Sequence, residues 1–166
     1  MIIKKLILGV LDTNCYILIK DNNAIIIDPA DNYKFIIDSC NKLNVIGILV
    51  THHHPDHICA LKYLEDYYNL IHNNFDDSVF KYKVLKTPGH TDDSISFYFE
   101  EEKVLFSGDF IFNGSIGRFD FENSNEEDMK KSLDFISTLP DDIIVYPGHG
   151  EKTILGKEKR HFKDYF

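Results

Sequence analysis

The segment Thr51-His52-His53-His54-Pro55-Asp56-His57 places four imidazoles and one carboxylate within seven residues. Both groups are transition-metal ligands when deprotonated. In extended backbone, side chains alternate between faces, so His52 and His54 point one way and His53 the other. Pro55 disfavours a helical conformation at His54 and keeps the chain extended there. Asp56 and His57 then turn into a helix beginning near Ile58. One short loop thus offers imidazoles to one cation and a carboxylate–imidazole pair to a neighbouring one. Three more donors occur in similar settings: His90 in Thr87-Pro88-Gly89-His90-Thr91, Asp109 in Ser107-Gly108-Asp109, and His149 in Pro147-Gly148-His149-Gly150. A lone Pro-Gly-His or Gly-Asp is ordinarily just a turn. The conjunction of one dense motif with three strand-end donors makes these seven residues a candidate metal centre.

The elements that must position these donors are strand-like runs rich in Ile, Val, Tyr and Phe. They cover residues 2–8, 14–20, 24–28, 46–51, 80–86, 94–100, 103–107 and 143–146. The ligand motif follows the apolar run Val45–Val50, at the C-terminal end of a strand, where α/β proteins usually build their sites. Asp21-Asn22-Asn23 reads as a hairpin turn, and Glu100–Glu102 separates a second strand pair. Helical periodicity covers Tyr33–Leu43, Ile58–Leu70 and Ser124–Leu139. The last opens on Ser124-Asn125-Glu126-Glu127, which reads as a capping box, and Pro140 stops it. The pattern predicts an α/β fold with mixed sheets and helices on their outer faces.

The 166 residues fit one domain, 1–166, without repeats or linkers. A net charge of −9 with no extended basic run argues against nucleic-acid binding. No run approaches the roughly 20 apolar residues of a membrane span. The apolar stretch after Lys4 and Lys5 stops at Asp12, too short for a secretory segment. Cys15, Cys40 and Cys59, an odd number without framework spacing, read as reduced thiols in a cytoplasmic protein.

The order His-x-His-x-Asp-His, then His, Asp and His, resembles the metallo-β-lactamase superfamily. Further matching stretches are Thr13-Asn14-Cys15-Tyr16, Ile27-Asp28-Pro29, Gly114-Ser115-Ile116-Gly117-Arg118 and Tyr146-Pro147-Gly148-His149-Gly150. They resemble the small glyoxalase II-like hydrolases more than the β-lactamases. The resemblance implies an αββα sandwich, two mixed sheets flanked by helices. It implies two divalent metals, with zinc expected and iron or manganese as the other candidates. His52, His54 and His90 would bind one, Asp56, His57 and His149 the other, and Asp109 would bridge them. Asp56 and Asp109 are then the catalytic carboxylates, and a hydroxide between the metals is the nucleophile. The implied substrate is a small thioester or ester, with an anionic thioester favoured by the net positive core. Arg118 and Lys152 are candidate substrate contacts, although solvated surface charge explains each as well. His53, His72 and His161 read as non-ligating.

Some features depart from the family pattern. Ile58-Cys59-Ala60 stands where small residues usually follow the motif, Ala30 replaces the usual glycine, and Phe119 follows Arg118. His57 and His90 are only 33 residues apart, and the chain ends 17 residues after His149, which leaves no room for the helical domain of glyoxalase II. The main rival function is a persulfide dioxygenase-like enzyme with one iron on two histidines and a carboxylate. A nuclease or phosphodiesterase fits the acidic balance poorly. A flavodiiron-type carrier would carry Glu at position 54. A non-catalytic binding relative would show gaps among the ligands.

Overall fold

A computed structural model describes residues 1–74 and 78–166. The middle of the polar run 72–78, Phe75-Asp76-Asp77, lies outside the described residues. The chain forms two compact units, Met1–Lys81 and Tyr82–Phe166.

The first unit is a four-stranded sheet in chain order, made of β1 (Ile2–Leu8), β2 (Thr13–Lys20), β3 (Asn23–Ile27) and β4 (Asn44–Leu49). The first three strands are antiparallel and β4 runs parallel to β3. The β2–β3 turn is tight because Asp21 and Asn22 both adopt positive φ, 50° and 62°. That is the primed turn that suits the sheet's twist. The β3–β4 crossover carries α1 (Tyr33–Ser39), whose first turn is capped by the Asn32 side chain. Cys15, Ile17, Ala24, Ile26 and Ile48 project from alternate positions onto Ile36 and Cys40 of the α1 segment and Leu61 and Leu64 of α3 (Leu61–Tyr68).

The helix expected over Ile58–Leu70 starts only at Leu61, as α3, and a separate helical turn, α2 (Pro55–Ile58), precedes it mostly over residues read as loop. The Ala60 amide bonds to the Pro29 carbonyl at 3.1 Å instead of continuing α2. This stitches the end of the ligand loop to the end of β3.

The second unit is a five-stranded sheet of order β11-β10-β7-β6-β5. Its strands are β5 (Lys83–Lys86), β6 (Ile95–Phe99), β7 (Val104–Gly108), β10 (Ile144–Pro147) and β11 (Thr153–Ile154), with a separate hairpin of β8 (Ile111–Phe112) and β9 (Ser115–Ile116). Only β7 and β10 pair in parallel. Between them runs α4 (Glu126–Ile136), and Met129, Leu133 and Ile136 pack with Leu105, Ile143 and Val145. The cap of α4 is Asn125, accepting from Asp128 N at 2.9 Å. Ser124, expected as the cap, instead closes a turn on Phe121. The chain continues through α5 (Leu155–Glu158) into a 3-10 helix, Lys159–Tyr165.

Both units are mixed sheets with helices packed against them. Among the described residues, no helix is long and apolar enough to cross a membrane.

Candidate metal centre

In the first unit, four of the donors occupy the loop after β4 and the turn of α2. Two of them, His52 and His57, are oriented by Asp28, a buried residue just past β3 held at φ 51°. Its Oδ1 accepts from the Thr51 amide at 2.7 Å, and its Oδ2 accepts from the Thr51 hydroxyl at 2.7 Å. Oδ2 also accepts from His57 Nδ1 at 3.0 Å. Thr51 Oγ1, whose proton goes to Asp28, takes a second bond from His52 Nδ1 at 3.1 Å. One carboxylate therefore fixes the tautomer of two imidazoles, directly for His57 and through a hydroxyl for His52. Protonation at Nδ1 presents the Nε2 lone pair as the ligand.

The rings of His52 and His54 stand 4.7 Å apart, and those of His52 and His57 4.3 Å apart. Asp56 Oδ2 is held by the Thr13 hydroxyl at 2.9 Å and lies 3.5 Å from His57 Nε2. His53 is exposed on the opposite side from buried His52, as strand alternation requires.

In the second unit, His90, Asp109 and His149 follow β5, β7 and β10 and converge. Asp109 Oδ2 lies 3.6 Å from His90 Nε2 and 3.5 Å from His149 Nε2. His90 Nδ1 donates to the Arg118 carbonyl at 2.8 Å, again presenting Nε2. That carbonyl reaches His90 because residue 117 is glycine. A Cβ there would sit 1.8 Å from the Asp109 carbonyl oxygen and 3.3 Å from His90 Cβ. Gly89, at φ 143°, likewise lets the turn before His90 lie against Met129, whose Cα would be 2.5 Å from an added Cβ.

The donor sets fit divalent metals. Ligands about 2.0–2.2 Å from a tetrahedral cation lie roughly 3.4 Å from one another, close to the carboxylate–imidazole spacings in each unit. Nδ1 of His52, His57 and His90 is already hydrogen-bonded, which is the usual support for metal-binding histidines.

Arg118 contributes mainly through its backbone. Its guanidinium makes two 2.9 Å bonds to Asp120 and lies 4.5 Å from the centre of the Phe121 ring. Lys152 is exposed, with its ammonium 5.8 Å from the centre of the Tyr146 ring. Sequence reasoning did not single out Asp28, Thr51 or Thr13 as functional residues. The signal available was an acidic residue directly after the apolar run Ala24–Ile27, a costly position unless the carboxylate is bonded.

Two clefts border the donors. One of about 400 Å³ is lined by Gly9, Val10, Leu11, Pro55, Asp56 and Cys59, among others, and is almost wholly apolar. Another of about 300 Å³ lies beside His149, with Phe112, Asn113, Ser115 and Glu151.

Comparison with known proteins gives the same family. The metallo-beta-lactamase superfamily model matches residues 8–72 and 70–149. A hydroxyacylglutathione hydrolase of Francisella philomiragia is 37% identical over 155 residues, 81% of this chain and 61% of that protein. The chain thus spans less than two thirds of that relative. Among solved structures, the BLEG-1 B3 metallo-beta-lactamase superposes with a TM-score of 0.87 at 29% identity, covering 96% of this chain and 97% of that one. TTHA1623 in a di-iron-bound form gives 0.86 at 28%, covering 95% and 97%. ETHE1 from Myxococcus xanthus gives 0.85 at 30%, covering 98% and 83%. The chain belongs to the metallo-beta-lactamase superfamily, with that family's α/β sandwich fold and glyoxalase II-like hydrolases among its relatives.

Proposed function

We propose that the protein is a dinuclear metal-dependent hydrolase acting on a small thioester or ester. In this reading His52, His54 and His90 hold one divalent ion, Asp56, His57 and His149 hold the other, and Asp109 is shared. The observation that carries it is the position of Asp109 Oδ2, 3.6 Å from His90 Nε2 and 3.5 Å from His149 Nε2. One carboxylate oxygen faces imidazoles assigned to different ions, as a bridging ligand must. Zinc is the proposed metal, and the di-iron neighbour makes iron the first alternative to test.

When bound, such a pair supplies Lewis-acid polarisation of a carbonyl and a bound water acidic enough to act near neutral pH. The chain's own residues supply orientation. Asp28 and Thr51 hold His52 and His57, Thr13 holds Asp56, and the Arg118 carbonyl holds His90. Fixed donors of this kind need no reorganisation as charge develops on the substrate carbonyl. The apolar cleft beside Asp56 suits the acyl or thiol part of a small substrate. Arg118 and Lys152 remain the proposed contacts for an anionic group, Arg118 only after release from Asp120. Three free thiols support a cytoplasmic setting.

The ETHE1 neighbour supports a second reading, a mononuclear iron persulfide dioxygenase. The two are separated by assaying protein of measured metal content against thioesters, lactones and phosphodiesters, and by oxygen uptake with glutathione persulfide. The proposal expects chelator-sensitive thioester hydrolysis without oxygen uptake. One iron per chain with persulfide-dependent oxygen uptake would replace it.

A further inference from the structure

Outside the seven donors, the first unit holds another pair of imidazoles. We propose that His53 and His72 form a second, peripheral site for a late first-row divalent cation such as zinc or copper, on the outer side of the ligand loop. His53 Nε2 and His72 Nε2 are 3.3 Å apart, with the ring planes at 67°. Two nitrogens at about 2.0–2.1 Å from one tetrahedral ion would be separated by close to this distance.

The second histidine is backed as metal-binding histidines usually are. Glu65 Oε1 accepts from His72 Nδ1 at 2.7 Å and from the His72 amide at 3.0 Å. A carboxylate can only accept, so the ring proton sits on Nδ1 and the Nε2 lone pair faces His53. For a cation to bind both rings, His53 must present its own Nε2 lone pair. Metal binding would then exchange the His53–His72 hydrogen bond for two coordinate bonds, with the His53 proton on Nδ1.

The pair is also held in place by the backbone. The Asn73 side chain brackets Val50, accepting from its amide at 2.8 Å and donating to its carbonyl at 3.1 Å. The Asn73 amide bonds to the Ile48 carbonyl at 2.9 Å. The residue after His72 is therefore tied to the strand end from which the loop departs, three residues before His53. His53 is exposed and the His72 side chain is 28% exposed, so a cation can reach both from solvent and complete its shell with water. An ion bound there would clamp the loop between His52 and His54 from its outer side. With two protein ligands, this site binds more weakly than the centre.

The inference does not depend on the reaction proposed above, because its test counts bound metal. Protein carrying its resident metals is dialysed against graded Zn²⁺, and the equivalents beyond the resident content are measured. Wild type, His53→Ala, His72→Ala and Glu65→Gln are compared. Cu²⁺ paramagnetic resonance reports nitrogen ligation at the added ion. The expected result is one additional ion in wild type, lost in both histidine variants and held 10–100-fold more weakly in Glu65→Gln. Resident metal content and basal turnover should stay unchanged in His53→Ala and His72→Ala, which also shows that those variants are folded. Three results overturn the proposal: no additional ion in wild type, equal uptake by wild type and both histidine variants, or loss of resident metal in His53→Ala.

Discussion

Substituting Asp28 by asparagine keeps the shape of the side chain and removes its charge. The carboxylate accepts three hydrogen bonds, from the Thr51 amide, the Thr51 hydroxyl and His57 Nδ1. An amide has one oxygen, so in one orientation its NH₂ faces the Thr51 hydroxyl and the His57 ring. In the other it faces the Thr51 backbone N–H. Either way a buried donor meets a donor, and both imidazoles lose the negative charge behind them. Hydrogen bonds to charged groups contribute about 1.5–3 kcal/mol each, so losing one or two costs about 1.5–6 kcal/mol of folding stability. Loss of such a supporting partner lowers metal affinity about 10–100-fold, or roughly 1.4–2.7 kcal/mol. The assay pairs urea denaturation of metal-free protein with chelator competition on loaded protein. Stability within about 0.5 kcal/mol of wild type, together with metal affinity within about twofold, would refute the idea that Asp28 orients His52 and His57.

Other substitutions test other parts of the site. Asp109→Asn should nearly abolish turnover with little loss of fold, because an amide offsets poorly the repulsion of two cations about 3.5–4 Å apart; steady-state kinetics beside a denaturation curve checks this. Gly117→Ala should cost about 3 kcal/mol or more, the upper end of overpacking penalties, and release metal, because its Cβ would collide with the Asp109 carbonyl. Thermal unfolding and elemental analysis read both effects. Burial pushes the Cys15 thiol far above the usual thiol range and raises that of Cys40, whereas Cys59 is exposed. A disulfide reagent at pH 8 should therefore find one fast thiol, lost in Cys59→Ser.

The candidate donors could be picked out in the sequence because their types are rare together and their positions follow strand ends. Alternation alone put His52 and His53 on opposite sides of the loop, and the structure has one buried and the other exposed. The network behind them was not legible. Asp28 acts on Thr51 and His57, 23 and 29 residues away, and a single Asp-Pro carries no sign of that pairing. The support for His90 comes from a backbone carbonyl, which any residue at position 118 would offer. Among the elements, the strand and helix runs of adequate length were readable from periodicity. The two-residue strands β8, β9 and β11 are too short to show a period. The break between α2 and α3 depends on a bond from Ala60 to Pro29, a tertiary contact that overrides a continuous helical pattern.

The most direct test of the central claim is the metal stoichiometry of protein purified without chelator, measured alongside turnover. Two tightly held divalent ions per chain are expected, with activity falling as either is withdrawn. Full hydrolytic activity with one ion or none per chain would contradict the dinuclear centre.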